Sequence, residues 1–369
     1  MRVLHINCNY LGTALHQLMI EQLSEIGCEN VVFAPTYNKK AAVITPNDNV
    51  VVSECFKKWD RLFFDYKQKK IFSSIDKAIN ISDFDCIHAY TLFTDGNCAR
   101  KLSKKYNIPY VVAIRNTDVN AFFKLMPHLR GRGIQIMRDA SAVFFLSEAY
   151  RKVVFEKYVP EKYYDELMAK TRIIPNGIDN FWHENYAEPK ISLDKNNLKL
   201  VFAGKVDKNK NVPTICEAMK LLNAKGYSAS LTVVGKIVDN NVYELIKNNE
   251  NVTYVSPQPK EELIKIYRAN DIFVMPSFTE TFGLVYAEAI SQSLPVVYSA
   301  GQGFDNQFAE GEVGFRADAK SAQSVAEAIE KIVDRYEVIT SNIIGKVQGY
   351  NWNSICAEYY DIYHKVRKK

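Results

Sequence analysis

At 369 residues the chain is too long for one ordinary hydrophobic core, so two domains of about 150 to 200 residues are expected. Its composition, 47% hydrophobic and 24% charged, is that of an ordinary globular protein, and a net charge of +5 does not indicate a nucleic-acid binder. Seven scattered cysteines without a C-x-x-C pair argue against a disulfide framework or a zinc site and predict reduced thiols in the cytoplasm. No apolar run reaches the length of about 18 residues that spans a membrane, and the N-terminal apolar run is too short for a signal peptide.

Short β-branched runs alternate with helical patterns through the first half of the chain. Residues 15–26 have helical spacing, and strands are predicted at 3–6, 31–33, 86–87, 111–114 and 142–146. Such alternation is typical of parallel sheets with right-handed crossovers.

The alternation restarts after a polar, irregular stretch at 180–196, which is the best candidate for a linker. This second series is predicted to contain a helix at 213–225 and strands at 197–203, 231–234, 252–255, 271–275 and 295–298. The pattern predicts an α/β protein of two tandem doubly wound, Rossmann-like domains, whose ligands bind beyond the C-terminal strand ends. We therefore expect domains at 1–185 and 186–350 that face a central cleft, followed by an amphipathic helix at 351–369.

Two glutamates eight positions apart, Glu280 and Glu288, stand out in an otherwise apolar stretch. Glu280 falls in a strand-to-helix loop, and Glu288 falls about two turns inside a helix predicted over 282–293. A rise of 1.5 Å per residue places them roughly 12 Å apart, which suits the ribose and sugar of a sugar nucleotide but not one hydrolysed bond. Gly283 leaves the first helical turn open to an anion. A capping glutamate followed by a surface glutamate is an equally good interpretation of the spacing.

A lysine-rich loop follows the strand predicted at 197–203. Lys205 and Lys210 in this loop would together neutralise a diphosphate, although a solvated loop is the simpler interpretation. Earlier in the chain, Asn176 belongs to a Pro-Asn-Gly-Ile-Asp run at 175–179, which by itself predicts only a tight turn.

Taken in order, these elements resemble the retaining glycosyltransferases of family 4, which have the GT-B fold. The resemblance rests on Pro-Asn-Gly-Ile-Asp, then Gly-Lys-x4-Lys, then Glu-x7-Glu before Leu-Pro-Val-Val, within the matching stretch IYRANDIFVMPSFTETFGLVYAEAISQSLPVV. It continues in the stretch FDCIHAYTLFTDGNCARKLSKKYNIPYVVAIRNTDVN and covers most of the chain, more weakly at 35–80 and 120–165.

The resemblance implies a role for each matched residue of the second domain. Glu280 would contact the hydroxyls of the donor sugar, and Glu288 would contact the ribose. Lys205 and Lys210 would stabilise the leaving diphosphate as its negative charge develops. The backbone N–H groups that would hold the distal phosphate or sugar are those of Gly283, Leu284 and Val285.

Three further implications concern chemistry and domain packing. No metal ion or other cofactor is needed in this family, and the leaving phosphate itself helps to deprotonate the acceptor on the same face. The last helix would cross back to pack on the first domain.

Three positions depart from the family pattern. The first loop has a single glycine, Gly12, where many relatives have a pair, and Lys205 replaces an arginine, which keeps the charge but loses the bidentate fork. Arg115 stands where many relatives have a histidine that contacts the donor sugar. An arginine at this position would instead bind a carboxylate or phosphate, or form a salt bridge with Asp118.

Other features of the predicted first domain bear on substrate and membrane binding. His88 ends a predicted strand that faces the predicted cleft, where substrate binding and a structural role are equally compatible. The segments 56–72 and 122–138 combine basic with aromatic and apolar residues, a pattern that favours anionic lipid when it forms a surface helix. Reversible contact with the inner face of a membrane is one hypothesis, and a solvated helix with one buried face is the other.

The resemblance thus predicts a cytoplasmic enzyme that moves a hexose from a UDP or GDP sugar to a hydroxyl of a glycan or lipid-linked glycan, with retention. Two alternatives stay open: a sugar-nucleotide epimerase of the same fold, whose acid and base carboxylates cannot be placed, and a non-catalytic sugar-nucleotide-binding partner. A dinucleotide dehydrogenase is disfavoured because no G-x-G-x-x-G follows any strand.

Overall fold

The computed structural model describes residues 1–367 and divides the chain into two compact units. Unit 1 consists of Met1–Leu146, Tyr150–Gly177 and the C-terminal segment that begins at Trp352. Unit 2 consists of Ser147–Ala149 and Ile178–Asn351.

The strands and helices are numbered along the chain. The strands are β1 (Arg2–Ile6), β2 (Glu29–Thr36), β3 (Val50–Glu54), β4 (Cys86–Ala89), β5 (Tyr110–Ile114), β6 (Ala142–Phe145), β7 (Thr171–Ile173), β8 (Leu198–Ala203), β9 (Ala229–Val234), β10 (Val252–Val255), β11 (Ile272–Met275), β12 (Val296–Ser299) and β13 (Gly314–Ala317). The helices are α1 (Leu15–Glu25), α2 (Phe64–Ala78), α3 (Thr94–Tyr106), α4 (Pro127–Asp139), α5 (Glu148–Lys157), α6 (Tyr164–Ala169), α7 (Asn180–Glu184), α8 (Val212–Ala224), α9 (Asn240–Lys247), α10 (Lys260–Ala269), α11 (Leu284–Ser291), α12 (Ala322–Asp334), α13 (Tyr336–Ile343) and α14 (Trp352–Val366).

Unit 1 is built on a seven-stranded parallel sheet in the order β3-β2-β1-β4-β5-β6-β7. The central strands are buried along their whole length, as expected for a parallel sheet that is covered on both faces. Alternate residues enter two separate cores: Leu4 and Ile6 of β1 belong to one, and Val3 belongs to the other. The unit is therefore doubly wound, as the alternation of strands and helices predicts.

Helix α14 belongs to unit 1, where Trp352, Ile355 and Tyr359 share a core with Met19 of α1. Gly177 of the Pro-Asn-Gly-Ile-Asp turn lies against Trp352, the first residue of α14. A Cβ atom on Gly177 would lie 2.5 Å from Cδ2 of Trp352, so only glycine leaves room for the indole ring.

Unit 2 contains a six-stranded parallel sheet in the order β10-β9-β8-β11-β12-β13. Strands β11 and β12 are completely buried. The stretch 180–196, which the sequence marks as a linker, belongs to unit 2 and begins with helix α7 (Asn180–Glu184). The Asp179 side chain accepts a hydrogen bond from the Phe181 N–H group and caps that helix. No helix in residues 1–367 combines the length and the apolar character that crossing a bilayer requires.

Candidate active site

Two loops of unit 2 bring Lys210 and Glu280 together although 70 positions separate them. The loops follow β8 and β11, which are neighbours in the parallel sheet and therefore end at the same edge. The Lys210 Nζ atom lies 2.5 Å from the Glu280 Oε2 atom, and both side chains are largely buried. Asn209 ties the loops together, since its side chain donates to the Thr279 carbonyl and its own carbonyl accepts from the Phe278 N–H group. The geometry thus forms a buried, charge-assisted pair at the carboxyl edge of the sheet.

A third loop holds Glu280 from the other side. The Gln302 Oε1 atom accepts the Glu280 N–H group at 3.0 Å, and the Glu280 carbonyl accepts the Gly303 N–H group at 2.8 Å. A Cβ atom on Gly303 would lie 1.8 Å from the Thr281 carbonyl oxygen, so this close approach requires glycine. Sequence reasoning does not identify Gln302 or Gly303 as supports of the site, and the only local signal is the Gly-Gln-Gly run itself.

Helix α11 begins at Leu284, later than predicted, because Gly283 adopts a left-handed conformation with a φ of 81°. Glu288 is therefore the fifth residue of the helix and lies one turn inside it, and the prediction of two turns is wrong. The N–H groups of Leu284 and Val285 find no acceptor in residues 1–367, as expected for the first turn of a helix. They are available to an anion at the positive end of the helix dipole.

Burial, together with the negative charge of Asp179, raises the pKa of Glu288 to about 7. Asp179 itself is held by Lys260, whose Nζ atom lies 2.8 Å from the Asp179 Oδ2 atom. The Glu288 side chain has no counter-ion in the part of the chain that the structure describes. Its carboxyl group is thus poised between its charged and neutral forms near neutral pH.

Lys205 lies in the same loop as Lys210 but is exposed and makes no ion pair with any residue in 1–367. The loop is held in place because the Asp207 side chain accepts the Lys210 N–H group at 2.9 Å. Within the described residues no group of three or more His, Cys, Asp or Glu side chains is placed to hold a metal ion.

In unit 1, the structure brings Arg115 and Asn176 together. The guanidinium of Arg115 donates to the Asn176 Oδ1 atom at 3.0 Å and to the Tyr90 carbonyl at 3.3 Å. Burial lowers the pKa of this guanidinium, which makes no ion pair with any described residue. The positive charge of Arg115 therefore has no counter-ion among the described residues of unit 1.

Asp118 does not form the salt bridge with Arg115 that the sequence offers as an alternative. Its buried carboxylate instead accepts three backbone N–H groups, those of Leu92, Phe93 and Arg115 itself. Burial raises the pKa of Asp118 to about 6, and these hydrogen bonds oppose the rise. The geometry favours a structural role, in which Asp118 ties the loop after β4 to the loop after β5.

The two remaining predicted residues are His88 and Gly12. His88 is fully buried in β4, where its Nδ1 atom lies 2.6 Å from the Tyr363 hydroxyl and its ring stacks on Tyr90. This environment favours the structural role over substrate binding. Gly12 ends a 3₁₀ turn and lines a surface cavity of about 290 Å³ together with Cys8 and Thr36.

Known proteins match both halves of the chain. Residues 17–180 match the family model described as Glycosyltransferase Family 4, and residues 185–343 match the model described as Glycosyl transferases group 1. The chain belongs to glycosyltransferase family 4. Residues 1–16 and 344–367 lie outside both matches, so neither family model covers Gly12 or helix α14.

Curated relatives of this family 4 glycosyltransferase resemble parts of it. A D-inositol 3-phosphate glycosyltransferase of Corynebacterium aurimucosum is 35% identical over 30% of this chain and 27% of its own length. The capsular polysaccharide biosynthesis glycosyltransferase CapM of Staphylococcus aureus is 27% identical over 38% of each chain. The chain thus spans well under half the length of these relatives.

Solved structures match this family 4 glycosyltransferase along nearly its whole length. The sucrose-phosphate synthase of Thermosynechococcus elongatus superposes with a TM-score of 0.76 at 18% identity and covers 99% of this chain and 98% of its own. The HepE protein of Anabaena, solved with UDP and glucose, superposes with a TM-score of 0.70 at 15% identity and covers 99% of this chain and 100% of its own. At such identities the likeness shows the fold, and it confirms the GT-B architecture.

Proposed function

We propose that the chain transfers a hexose from a nucleoside diphosphate sugar, of the UDP or GDP type, to a hydroxyl of a glycan or lipid-linked glycan. The transfer retains the anomeric configuration and needs no metal ion. The observation that carries this proposal is the arrangement in unit 2, where the ion pair of Lys210 with Glu280 lies in the loops beside the open first turn of α11 and the half-buried Glu288.

The pairing of Lys210 with Glu280 supports this assignment, because each side chain neutralises the charge of the other. The Lys210 Nζ atom lies 2.5 Å from the Glu280 Oε2 atom. In a donor complex, Lys210 and Lys205 would bind the diphosphate and Glu280 would accept hydrogen bonds from the sugar hydroxyls. The ion pair of Lys210 with Glu280 would thus be replaced by contacts of both side chains with the donor. The free N–H groups at the start of α11 suit a phosphate oxygen, and the carboxyl group of Glu288 suits a ribose diol.

The chemical step requires no side-chain base in this proposal. The bond between the anomeric carbon and the diphosphate oxygen breaks, and the acceptor hydroxyl oxygen bonds to the same face of that carbon. The acceptor proton passes to the leaving phosphate oxygen. Lys210 and Lys205 stabilise the negative charge that develops on the diphosphate, which is the role that a metal ion plays in other transferases.

The named relatives support the donor and acceptor classes. HepE is solved with UDP and glucose, and CapM belongs to capsular polysaccharide biosynthesis. We propose a comparable cytoplasmic role, in which the acceptor is a growing glycan or its lipid-linked precursor and the enzyme contacts the inner face of a membrane reversibly.

The first test is a thermal-shift screen with UDP, GDP and ADP. One nucleotide should raise the melting temperature of the wild type through mass action. Glu288→Ala should weaken that nucleotide by about 10- to 150-fold, the value of a hydrogen bond to a charged group. Glu250→Ala, at an exposed glutamate of the same unit, is the matched control. A shift that survives Glu288→Ala unchanged would contradict the ribose assignment.

Turnover distinguishes the proposed function from its alternatives. With the matched sugar nucleotide and a hydroxyl acceptor, the product should carry the anomeric configuration of the donor by NMR, and EDTA should leave the rate unchanged. An isomerised sugar nucleotide that forms without acceptor would indicate an epimerase. Binding without any product across an acceptor panel would indicate a non-catalytic partner.

A further inference from the structure

Unit 1 exposes a run of large apolar side chains at the start of α2 and in the 3₁₀ turn Lys58–Leu62 that precedes it. Trp59, Leu62, Phe63 and Tyr66 are 74%, 75%, 66% and 55% exposed. Within residues 1–367 the other two tryptophans, Trp182 and Trp352, are each only 3% exposed. Neighbouring aromatic residues left in water on this scale mark an interaction surface.

A second segment extends this surface. Leu125, in the turn before α4, is 68% exposed. The turn and α4 are fixed to α2, because the rings of Phe122 and Phe64 lie 5.8 Å apart and Arg132 pairs with Asp65. We call the combined surface, residues 57–70 and 124–126, the basic-aromatic rim.

The rim borders the larger cavity of unit 1, which has a volume of about 620 Å³. Arg61, Leu62 and Lys67 line it from the rim, and Thr91 and Asp118 line it from the carboxyl ends of β4 and β5. This is the end of a doubly wound sheet at which ligands bind. Any surface that the rim contacts therefore lies beside the mouth of a ligand-sized cavity.

The charge of the rim is strongly positive. Residues 57–70 contain six Lys or Arg and two Asp, and residues 124–126 contain one lysine and no acid. Both aspartates are already engaged, Asp60 by Lys70 and Asp65 by Arg132. The remaining rim cations that make no ion pair with any described residue include Lys58, Arg61 and Lys69.

We propose that the basic-aromatic rim docks on the anionic surface of a lipid bilayer. Trp, Tyr and Phe side chains settle at the headgroup boundary, and neighbouring lysines are attracted to anionic lipid. A second copy of the chain is a poorer occupant, because a two-fold contact would place the same cations against themselves. Docking would bring the cavity to the headgroups, where a lipid-linked glycan can enter it while its lipid stays in the membrane; this last step rests on the proposed function.

Vesicle flotation and tryptophan fluorescence test the docking directly and require no turnover. The wild type should float with phosphatidylcholine vesicles that contain phosphatidylglycerol at low salt, and high salt should release it. Because Trp59 is the single exposed tryptophan, its emission should shift to the blue on binding. Failure to float with anionic vesicles at low salt, or equal flotation with pure phosphatidylcholine, would overturn the proposal.

The apolar part of the rim is tested by the double variant Trp59→Ser with Phe63→Ser. Both side chains are exposed, so the fold should persist, and vesicle affinity should fall by about tenfold or more. Leu245→Ser, at a 70% exposed leucine of unit 2, is the matched control and should float like the wild type. Equal flotation of the double variant and the control would overturn the assignment of the rim.

The basic part is tested by Lys58→Ser with Lys69→Ser, which should weaken anionic vesicle binding by about fivefold for each lysine. The exposed pair Lys220→Ser with Lys265→Ser in unit 2 is the control. A nucleotide thermal shift measured on every variant reports on unit 2 separately, so loss of docking and loss of donor binding are distinguishable. Sedimentation that shows a dimer of the wild type and a monomer of the rim variants would assign the surface to self-association and overturn the proposal.

Discussion

Replacing Glu288 by glutamine should stabilise the protein at neutral pH, and the gain should develop between pH 4.5 and about pH 7. Burial raises the pKa of Glu288 from 4.5 to about 7, so the unfolded chain releases this proton at a lower pH than the folded chain does. Below pH 4.5 both states hold the proton, and the stability that the neutral form confers is fully present. As the pH rises through this window that stability is lost, and above about pH 7 the loss is complete.

The size of the effect follows from the same pKa. A difference of about 2.5 pH units corresponds to about 3 kcal/mol as an upper bound, because the side chain is half-buried and not fully enclosed. For a unit of about 180 residues this is a rise in melting temperature of about 6 to 12 °C. Glutamine preserves the shape and the neutral character of the protonated side chain, so packing should change little.

The assay is a series of thermal melts from about pH 4 to about pH 8 for the wild type, Glu288→Gln and the exposed control Glu250→Gln. The wild type and Glu288→Gln should coincide at the acid end and diverge toward pH 7. Burial also raises the pKa of Asp95 to about 7 and that of Asp118 to about 6, but both residues are present in each protein and cancel in the difference. A difference that is constant with pH, or a Glu288→Gln protein that is less stable at neutral pH, would refute the reasoning.

Three further experiments test particular contacts. Lys210→Met and Glu280→Gln should each lower the free energy of unfolding, because each leaves the other buried charge without its partner. In a double-mutant cycle measured by urea denaturation, the loss of unfolding free energy in the double variant should be about 1 to 3 kcal/mol smaller than the sum of the two single losses. Additive losses would contradict the buried pair. Arg115→Lys keeps the charge but loses the guanidinium fork that reaches Asn176 and the Tyr90 carbonyl. We expect kcat/KM to fall about tenfold or more while the melting temperature changes little. A parallel fall in kcat/KM and in melting temperature would indicate a purely structural arginine. Gly177→Ala should destabilise unit 1 by about 1 to 3 kcal/mol in a thermal melt through its clash with Trp352, whereas Gly131→Ala, which has open space, should not.

The sequence predicts the central strands of both sheets, since buried strands such as β5, β6 and β11 are continuous apolar runs. It does not predict β3, β7 or β13. All three are edge strands. Strand β3 is half-exposed, β7 is three residues long, and β13 contains a glycine and an arginine. Edge strands carry a weaker periodic signal because only part of their surface is buried.

The site residues divide in the same way. The sequence indicates Lys210, Glu280 and Glu288 as candidate site residues because each lies in a short motif beside a strongly predicted strand. The Gln302 side chain that contacts Glu280 lies 22 positions away, and the Tyr363 hydroxyl that contacts His88 lies 275 positions away. No local spacing encodes such contacts, because tertiary packing alone determines which distant side chains meet. The sequence predicts that Gly283 leaves an opening for a ligand, but its effect on where α11 begins depends on its left-handed backbone conformation.

The two carboxyl groups of the site, Glu280 and Glu288, are stabilised in different ways, and this difference affects how a donor would bind. Glu280 is paired with Lys210, whose Nζ atom lies 2.5 Å from the Glu280 Oε2 atom. Glu288 has no such partner, and protonation relieves the penalty of burial instead. A diphosphate would draw Lys210 from Glu280, and a ribose diol would donate to the charged form of Glu288. Donor binding should therefore favour the ionised Glu288 and be coupled to proton release, while it leaves Glu280 free to accept from the sugar hydroxyls. Affinity for a ligand that carries both a phosphate and hydroxyl groups would thus offset the energetic cost of burying these carboxylates.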